Sequence, residues 1–102
     1  MVAYVLTAEA DGDLDDIFDY TSERWSSDQA HKYLLQLEGC VEKIALGEAR
    51  FKGLPDIFPR LRQMRCQHHY IFCLPRDNEP ALIVAIFHER MDMLSRIADR
   101  LK

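Results

Sequence analysis

The chain has 102 residues, 48% of them hydrophobic and 29% charged, with 13 Lys/Arg against 17 Asp/Glu and a formal net charge of −4. That length suits one domain around one core, and the mix of apolar and charged residues excludes an intrinsically disordered chain. The longest apolar run, residues 81–87, falls far short of the roughly 20 residues needed to cross a bilayer, so no membrane partner is expected.

Charge is spread unevenly. Residues 1–50 hold 4 Lys/Arg and 11 Asp/Glu (−7), and residues 51–102 hold 9 and 6 (+3), which together return −4. Such a split gives the folded chain two electrostatically different surfaces. Three cysteines, Cys40, Cys66 and Cys73, are an odd number without a CxxC spacing. They predict buried free thiols in a reducing cytoplasm rather than a disulfide framework. The opening Met1-Val2-Ala3-Tyr4 carries no basic region or cleavage site, so no export signal is read.

In chain order, residues 2–6 read as a short strand. Thr7 offers a hydroxyl to cap the helix that follows, and Glu9, Asp11 and Asp13 complement the positive end of its dipole. Leu14, Ile17, Phe18, Thr21 and Trp25 recur at helical spacing, with Asp15, Asp16, Asp19 and Glu23 on the water side. Ser26 and Gln29 have capping-box spacing and open a second helix. Its stripe is Ala30, Tyr33, Leu34, Leu37, Val41, Ile44 and Ala45, and Gly47 ends it. The short link makes the two helices an antiparallel hairpin.

Residues 48–59, with Gly53, Pro55 and Pro59, read as a loop. Strands are predicted over residues 61–66, 69–74 and 81–88, the last two joined by a turn-rich Pro75-Arg76-Asp77-Asn78-Glu79-Pro80. Residues 81–87 are apolar on both faces, which predicts an interior strand. Leu94, Ile97, Ala98 and Leu101 describe a short C-terminal helix with Arg96, Arg100 and Lys102 near its end. The order β-α-α-β-β-β plus a helix predicts an α+β, two-layer domain, its helical hairpin packed on a mainly antiparallel sheet.

This order resembles the RelE/ParE superfamily of toxins from bacterial type II toxin–antitoxin pairs, and the ParE branch in particular. The residues that carry the likeness are Ala10-x-x-x-Leu14-x-x-Ile17-x-x-Tyr20 and Trp25-x-x-x-Gln29-Ala30-x-x-Tyr33-x-x-Leu37, then Leu61-Arg62, His69-Tyr70-Ile71-Phe72 and Ile86-Phe87-His88-Glu89-Arg90-Met91-Asp92. It spans nearly the whole chain as a single domain, residues 1–102. The resemblance implies two chemistries on one scaffold. RelE-like members cleave messenger RNA on the ribosome, whereas ParE-like members inhibit DNA gyrase with no hydrolytic step of their own. It also implies a cognate ParD-like antitoxin, partly disordered when free, with operator DNA reached only through that antitoxin.

For RNA cleavage, a base, an acid and cations around a phosphate are needed. Arg62 and Arg65 present phosphate-matching guanidinium groups, and the free pKa of His88 lies near neutrality. Against cleavage, no tyrosine follows His88, Lys52 and Lys102 are the only lysines of the second half, and a net −4 suits a phosphate-rich target poorly. The bland readings are a strand-capping His88, sharing a face with Leu82, Val84 and Ile86, and edge-strand arginines at 62 and 65 that discourage aggregation. Cys66, His68, His69 and Cys73 match no standard zinc spacing, so no metal or cofactor is expected. The expectation is contact rather than catalysis: Arg62, Arg65, His88, Arg90, Arg96 and Arg100 toward the target, and the Leu94, Ile97 and Leu101 stripe toward the antitoxin. That stripe reads equally as packing back on the sheet. A nuclease and a non-toxic antitoxin-binding module remain the alternatives.

Overall fold

Strand β1 (Tyr4–Leu6) leads into helices α1 (Ala8–Arg24) and α2 (Ser27–Leu46), and β2 (Lys52–Gly53), β3 (Arg62–Cys66), β4 (His69–Arg76), β5 (Glu79–His88) and helix α3 (Met93–Arg100) follow. This is a computed structural model, and it describes residues 2–102; Met1, in the opening stretch read for an export signal, lies outside them.

Both hairpin helices start where the sequence places them. The Thr7 hydroxyl accepts from the Ala10 amide at 3.0 Å and the Ser26 hydroxyl from the Gln29 amide at 3.1 Å. Each such cap is worth about 1 kcal/mol. Gly47 ends α2 at φ 72°, a left-handed conformation that a side chain would strain.

The sheet order is β1-β5-β4-β3-β2, with β1 parallel to β5 and the remaining pairs antiparallel. The long apolar strand therefore lies inside the sheet, as its two-sided hydrophobicity requires. Two-residue turns close both hairpins, with Gln67 (φ 58°) and Asn78 (φ 61°) in the left-handed region. One face of the sheet, through Ile71, Cys73, Ile83 and Ile86, packs under Ala10, Ile17, Leu37, Val41 and Ile44 of the helical hairpin. Each Ile, Leu or Val among them contributes about 1.5–3 kcal/mol by leaving water. The opposite face, through Phe72, Val84, Ala85 and Phe87, is covered by Ile97 of α3 together with Leu61. The α+β architecture is thus as expected, and α3 adds a partial layer on the far side. The C-terminal stripe packs back: Ile97 is fully buried, Leu101 is half-buried, and Leu94 is 54% exposed.

Four local expectations need correction. Residues 48–59 are not all loop, because Lys52 and Gly53 pair with Gln63 and Arg62 and extend the sheet by a short edge strand. Trp25, placed on the apolar stripe of α1, is 73% exposed, since the helix ends there and the hairpin turn carries it off the core. Cys40 and Cys66 are not free thiols but are disulfide-bonded, leaving only Cys73 free and buried. Packing α2 on the sheet sets their Cα atoms 6.2 Å apart across 26 residues of sequence, an approach that linear spacing does not reveal. Finally, a register shift after Phe72 and Ala85 makes Val84 an extra residue in β5. This bulge turns Val84 and Ala85 to the same face, so His88 shares its side with Ile83 and Ile86, not with Leu82 and Val84.

Candidate functional site

The chemistry-bearing side chains gather at one end of the sheet, where the β3–β4 turn meets the end of β5. β4 and β5 bring His69 opposite His88, with the rings edge-to-face at 5.1 Å. Tyr33 reaches down from α2, and its hydroxyl donates to Nδ1 of His69 while accepting from the His68 amide at 3.4 Å. Glu89 closes the group. Its carboxylate accepts from the Arg65 guanidinium at 2.7 Å and lies 3.3 Å from Nδ1 of His68. The His88 ring in turn accepts the Arg90 amide on Nδ1 at 3.1 Å, which is the strand-capping bond anticipated for it.

Electrostatics follow from this packing. Burial, reinforced by His88 and His68, outweighs the pull of Glu89 and pushes His69 down to about 4. The hydrogen bond from His68, with the charge of Arg65, holds Glu89 below the usual carboxylate range. Burial raises Tyr33. A neutral His69 with Nδ1 accepting from Tyr33 carries its proton on Nε2. The unfolded chain protonates this imidazole near 6.5 and the folded chain only near 4, so stability is full above pH 6.5 and declines as pH falls through that window. Each pH unit within it costs at most about 1.4 kcal/mol. Thermal unfolding should therefore fall by several degrees between pH 7 and pH 5, and His69→Gln should flatten that dependence. An equal slope in the variant would contradict a neutral, buried His69.

The six basic candidates do not form one surface. Arg62 and Arg65 leave β3 on opposite faces, Arg62 lying over the Phe51 ring at 4.2 Å and Arg65 over Tyr70 at 5.9 Å. Arg62 is also paired with Gly53 of β2, so it is not on an edge strand. Arg90 and Arg96 are exposed, and neither forms an ion pair among the described residues. Arg100 is turned inward. It bonds Asp13 at 2.7 Å, donates to the Val84 carbonyl at 3.1 Å and lies 4.7 Å from the Phe87 ring centre.

Sequence reasoning missed Asp13, Tyr33, Phe51 and Glu89 as members of these groups. Asp13 was legible in part: it lies three residues after Ala10 and four before Ile17, on the stripe that packs inward. Among the described residues no group of three or more His, Cys, Asp or Glu side chains is arranged to hold a metal ion. None of the described helices is long and apolar enough to cross a membrane.

Comparison with known proteins adds identity to this geometry. The family described as ParE toxin of type II toxin-antitoxin system, parDE, matches residues 4–93. Toxin ParE of Escherichia coli is 54% identical over 102 residues, covering 100% of this chain and 99% of that protein. Toxin ParE1 of Caulobacter vibrioides is 34% identical over 94 residues, covering 90% and 94%. A chromosomal ParDE system from P. aeruginosa superposes with a TM-score of 0.68 at 18% identity, covering 86% of this chain and 96% of that one, and so supports the fold. With the helical hairpin, the five-stranded sheet and the His88-Glu89-Arg90 terminus in place, the chain belongs to the ParE family of toxins from type II toxin–antitoxin systems.

Proposed function

We propose that this ParE toxin inhibits DNA gyrase, or a related topoisomerase, by binding it, and that a cognate ParD-like antitoxin neutralises it in a hetero-oligomer. The family match carries the reading. What supports binding over bond-making is the state of the titratable groups. His69 is buried, neutral to about pH 4 and spent on Tyr33; His88 spends Nδ1 on a backbone amide; His68 and Arg65 share Glu89. A general acid or base needs a free ring nitrogen that titrates near the working pH and faces substrate. Here Nδ1 of each of these three histidines is engaged within the fold, which makes the cluster a clasp between α2 and the sheet.

On this reading the exposed Arg90 and Arg96, with Arg65 at the sheet end, are the target-facing cations, and Arg100 acts by holding α3 in place. The antitoxin finds Leu94 open on α3, while Ile97 and Leu101 face the core unless that helix is displaced. The toxin would act in the cytoplasm, where topoisomerases work, and operator DNA would be contacted through the antitoxin.

Induced expression without the antitoxin tests the proposal. It should produce filamentation and a DNA-damage response. Rapid translation arrest with cut transcripts would favour the RelE-like nuclease, and unaltered growth would favour a module that only sequesters the antitoxin.

A further inference from the structure

Cys40 and Cys66 carry a covalent bond that target and antitoxin binding leave unused. Cys40 lies on α2 three residues after Leu37 and four before Ile44, on the face that packs against the sheet. Cys66 ends β3 opposite His69 and is buried. Their bond joins helix to strand across 26 residues of sequence. Tyr33, two helical turns or about 10 Å back along α2, makes the second crossing, to His69 and the His68 amide. One polar clasp and one disulfide thus tie α2 to the β3–β4 hairpin.

Cytoplasmic cysteine pairs are held reduced and join only transiently, when disulfides accumulate. The surroundings let this pair exist in both states. Both residues belong to the apolar cluster between α2 and the sheet, where two thiols pack as small apolar groups and keep it filled. Once reduced, the Cys66 thiol has an acceptor in place, the Gln36 carbonyl 3.7 Å from its sulfur. Cys40 is half-buried and Cys66 is buried, so a small disulfide reaches Cys40 first. The third cysteine does not compete. Cys73 pairs with Arg62, four residues from Cys66 along β3, which puts it roughly 13 Å away and out of bonding reach. Burial also pushes its thiol up to about 11, so it supplies little thiolate.

We propose that Cys40 and Cys66 form a reversible redox staple, closed by a glutathione-type disulfide and reopened by the corresponding thiol, whose closure locks α2 to the sheet and prolongs the life of the folded toxin. The inference rests on the cytoplasmic placement proposed above, which makes the open form the resting one. The Cys40 thiolate attacks the small disulfide RSSR, its sulfur–sulfur bond breaks, and RS⁻ leaves a mixed disulfide on Cys40. The Cys66 thiolate then attacks Sγ of Cys40 and expels the second RS⁻. The two cysteine protons pass to the two leaving thiolates. Two thiols thus lose two electrons, and one RSSR is reduced to two RSH. The closed loop restrains the unfolded chain, and in the folded chain it stops α2 from lifting away when the Tyr33–His69 contact opens.

The test equilibrates the full chain with millimolar reduced and oxidised glutathione at varied ratio. Thiols are counted by alkylation and mass under denaturing conditions, and thermal unfolding and protease digestion are followed in parallel. Wild type should pass reversibly from three reactive thiols to one as oxidised glutathione rises. Its midpoint should rise by about 10 °C or more, and its half-life against a broad protease by at least about tenfold. Cys40→Ala and Cys66→Ala should ignore the ratio and unfold near the reduced wild type, whereas Cys73→Ala should keep the response. If the buried Cys66→Ala fails to fold, Cys40→Ala at its half-buried position decides alone. A bond that oxidised glutathione does not form, or one that reduced glutathione does not open, would overturn the inference. So would midpoints within about 2 °C and equal digestion for the open and closed chains. Cell fractionation reads the placement separately: toxin recovered outside the cytoplasm would overturn that reading, and the open resting state with it.

Discussion

Replacing Asp13 with alanine is expected to lower the stability of the folded chain by about 4 kcal/mol. β1 pairs with β5 only through Ile83, so beyond that point the edge of β5 has no neighbouring strand. Asp13 and Arg100 stand in for it. One carboxylate oxygen of Asp13 accepts the Ile86 amide at 2.9 Å, and Arg100 donates to the Val84 carbonyl at 3.1 Å. The two side chains hold each other at 2.7 Å and are 14% and 20% exposed.

Removing the carboxylate leaves the Ile86 amide without its acceptor and the largely buried guanidinium with only the Val84 carbonyl and the exposed Glu9 carboxylate 3.7 Å away, which is why the effect exceeds that of a surface ion pair. A domain of this size loses about 4–8 °C for each kcal/mol, so the midpoint should drop by about 15 °C or more. Asp13→Leu combined with Arg100→Met should cost less than the two single changes summed, because neither charge is stranded. A loss below about 1 kcal/mol for Asp13→Ala would mean that water satisfies this edge equally well.

Ile97→Asp is expected to be still more damaging, by about 5 kcal/mol, while Leu94→Asp one turn away stays within about 0.5 kcal/mol. Ile97 is fully buried among Phe72, Val84 and Phe87, and Leu94 is 54% exposed on the same helix. A buried carboxylate there sacrifices the aliphatic contact and adds a desolvated charge. Against a total stability of about 5–15 kcal/mol, that change alone can unfold the chain. Urea denaturation of the pair reads the contrast directly. Equal midpoints for the two variants would show that α3 is not packed on the sheet. Truncating residues 91–102 would remove Ile97 and Arg100 together, so lost toxicity in such a variant would reflect lost structure before it reflected a lost contact.

Much of this fold was legible because local chemistry and global packing agree. Thr7, Ser26 and Gly47 sit at the boundaries their capping preferences dictate, and the apolar run around Ile83 and Ile86 required a strand covered on both sides. The site was less legible, since it depends on long-range neighbours. The reach of Tyr33 to His69 spans 36 residues and that of Arg100 to Asp13 spans 87. Neither distance leaves a trace in periodicity. The Val84 bulge illustrates the cost: strict alternation assigns His88 to the wrong face, and one inserted residue reverses it. The Cys40–Cys66 bond was hidden for the same reason, because a helix and a strand approach each other only after the hairpin docks.

The most direct test of the non-catalytic toxin reading is a gyrase assay with purified chain, run beside a translating ribosome carrying a defined message. The expected result is inhibited supercoiling with accumulation of gyrase–DNA cleavage complexes, reversed by the antitoxin, and an intact message. Cleaved message with unaffected gyrase would contradict it.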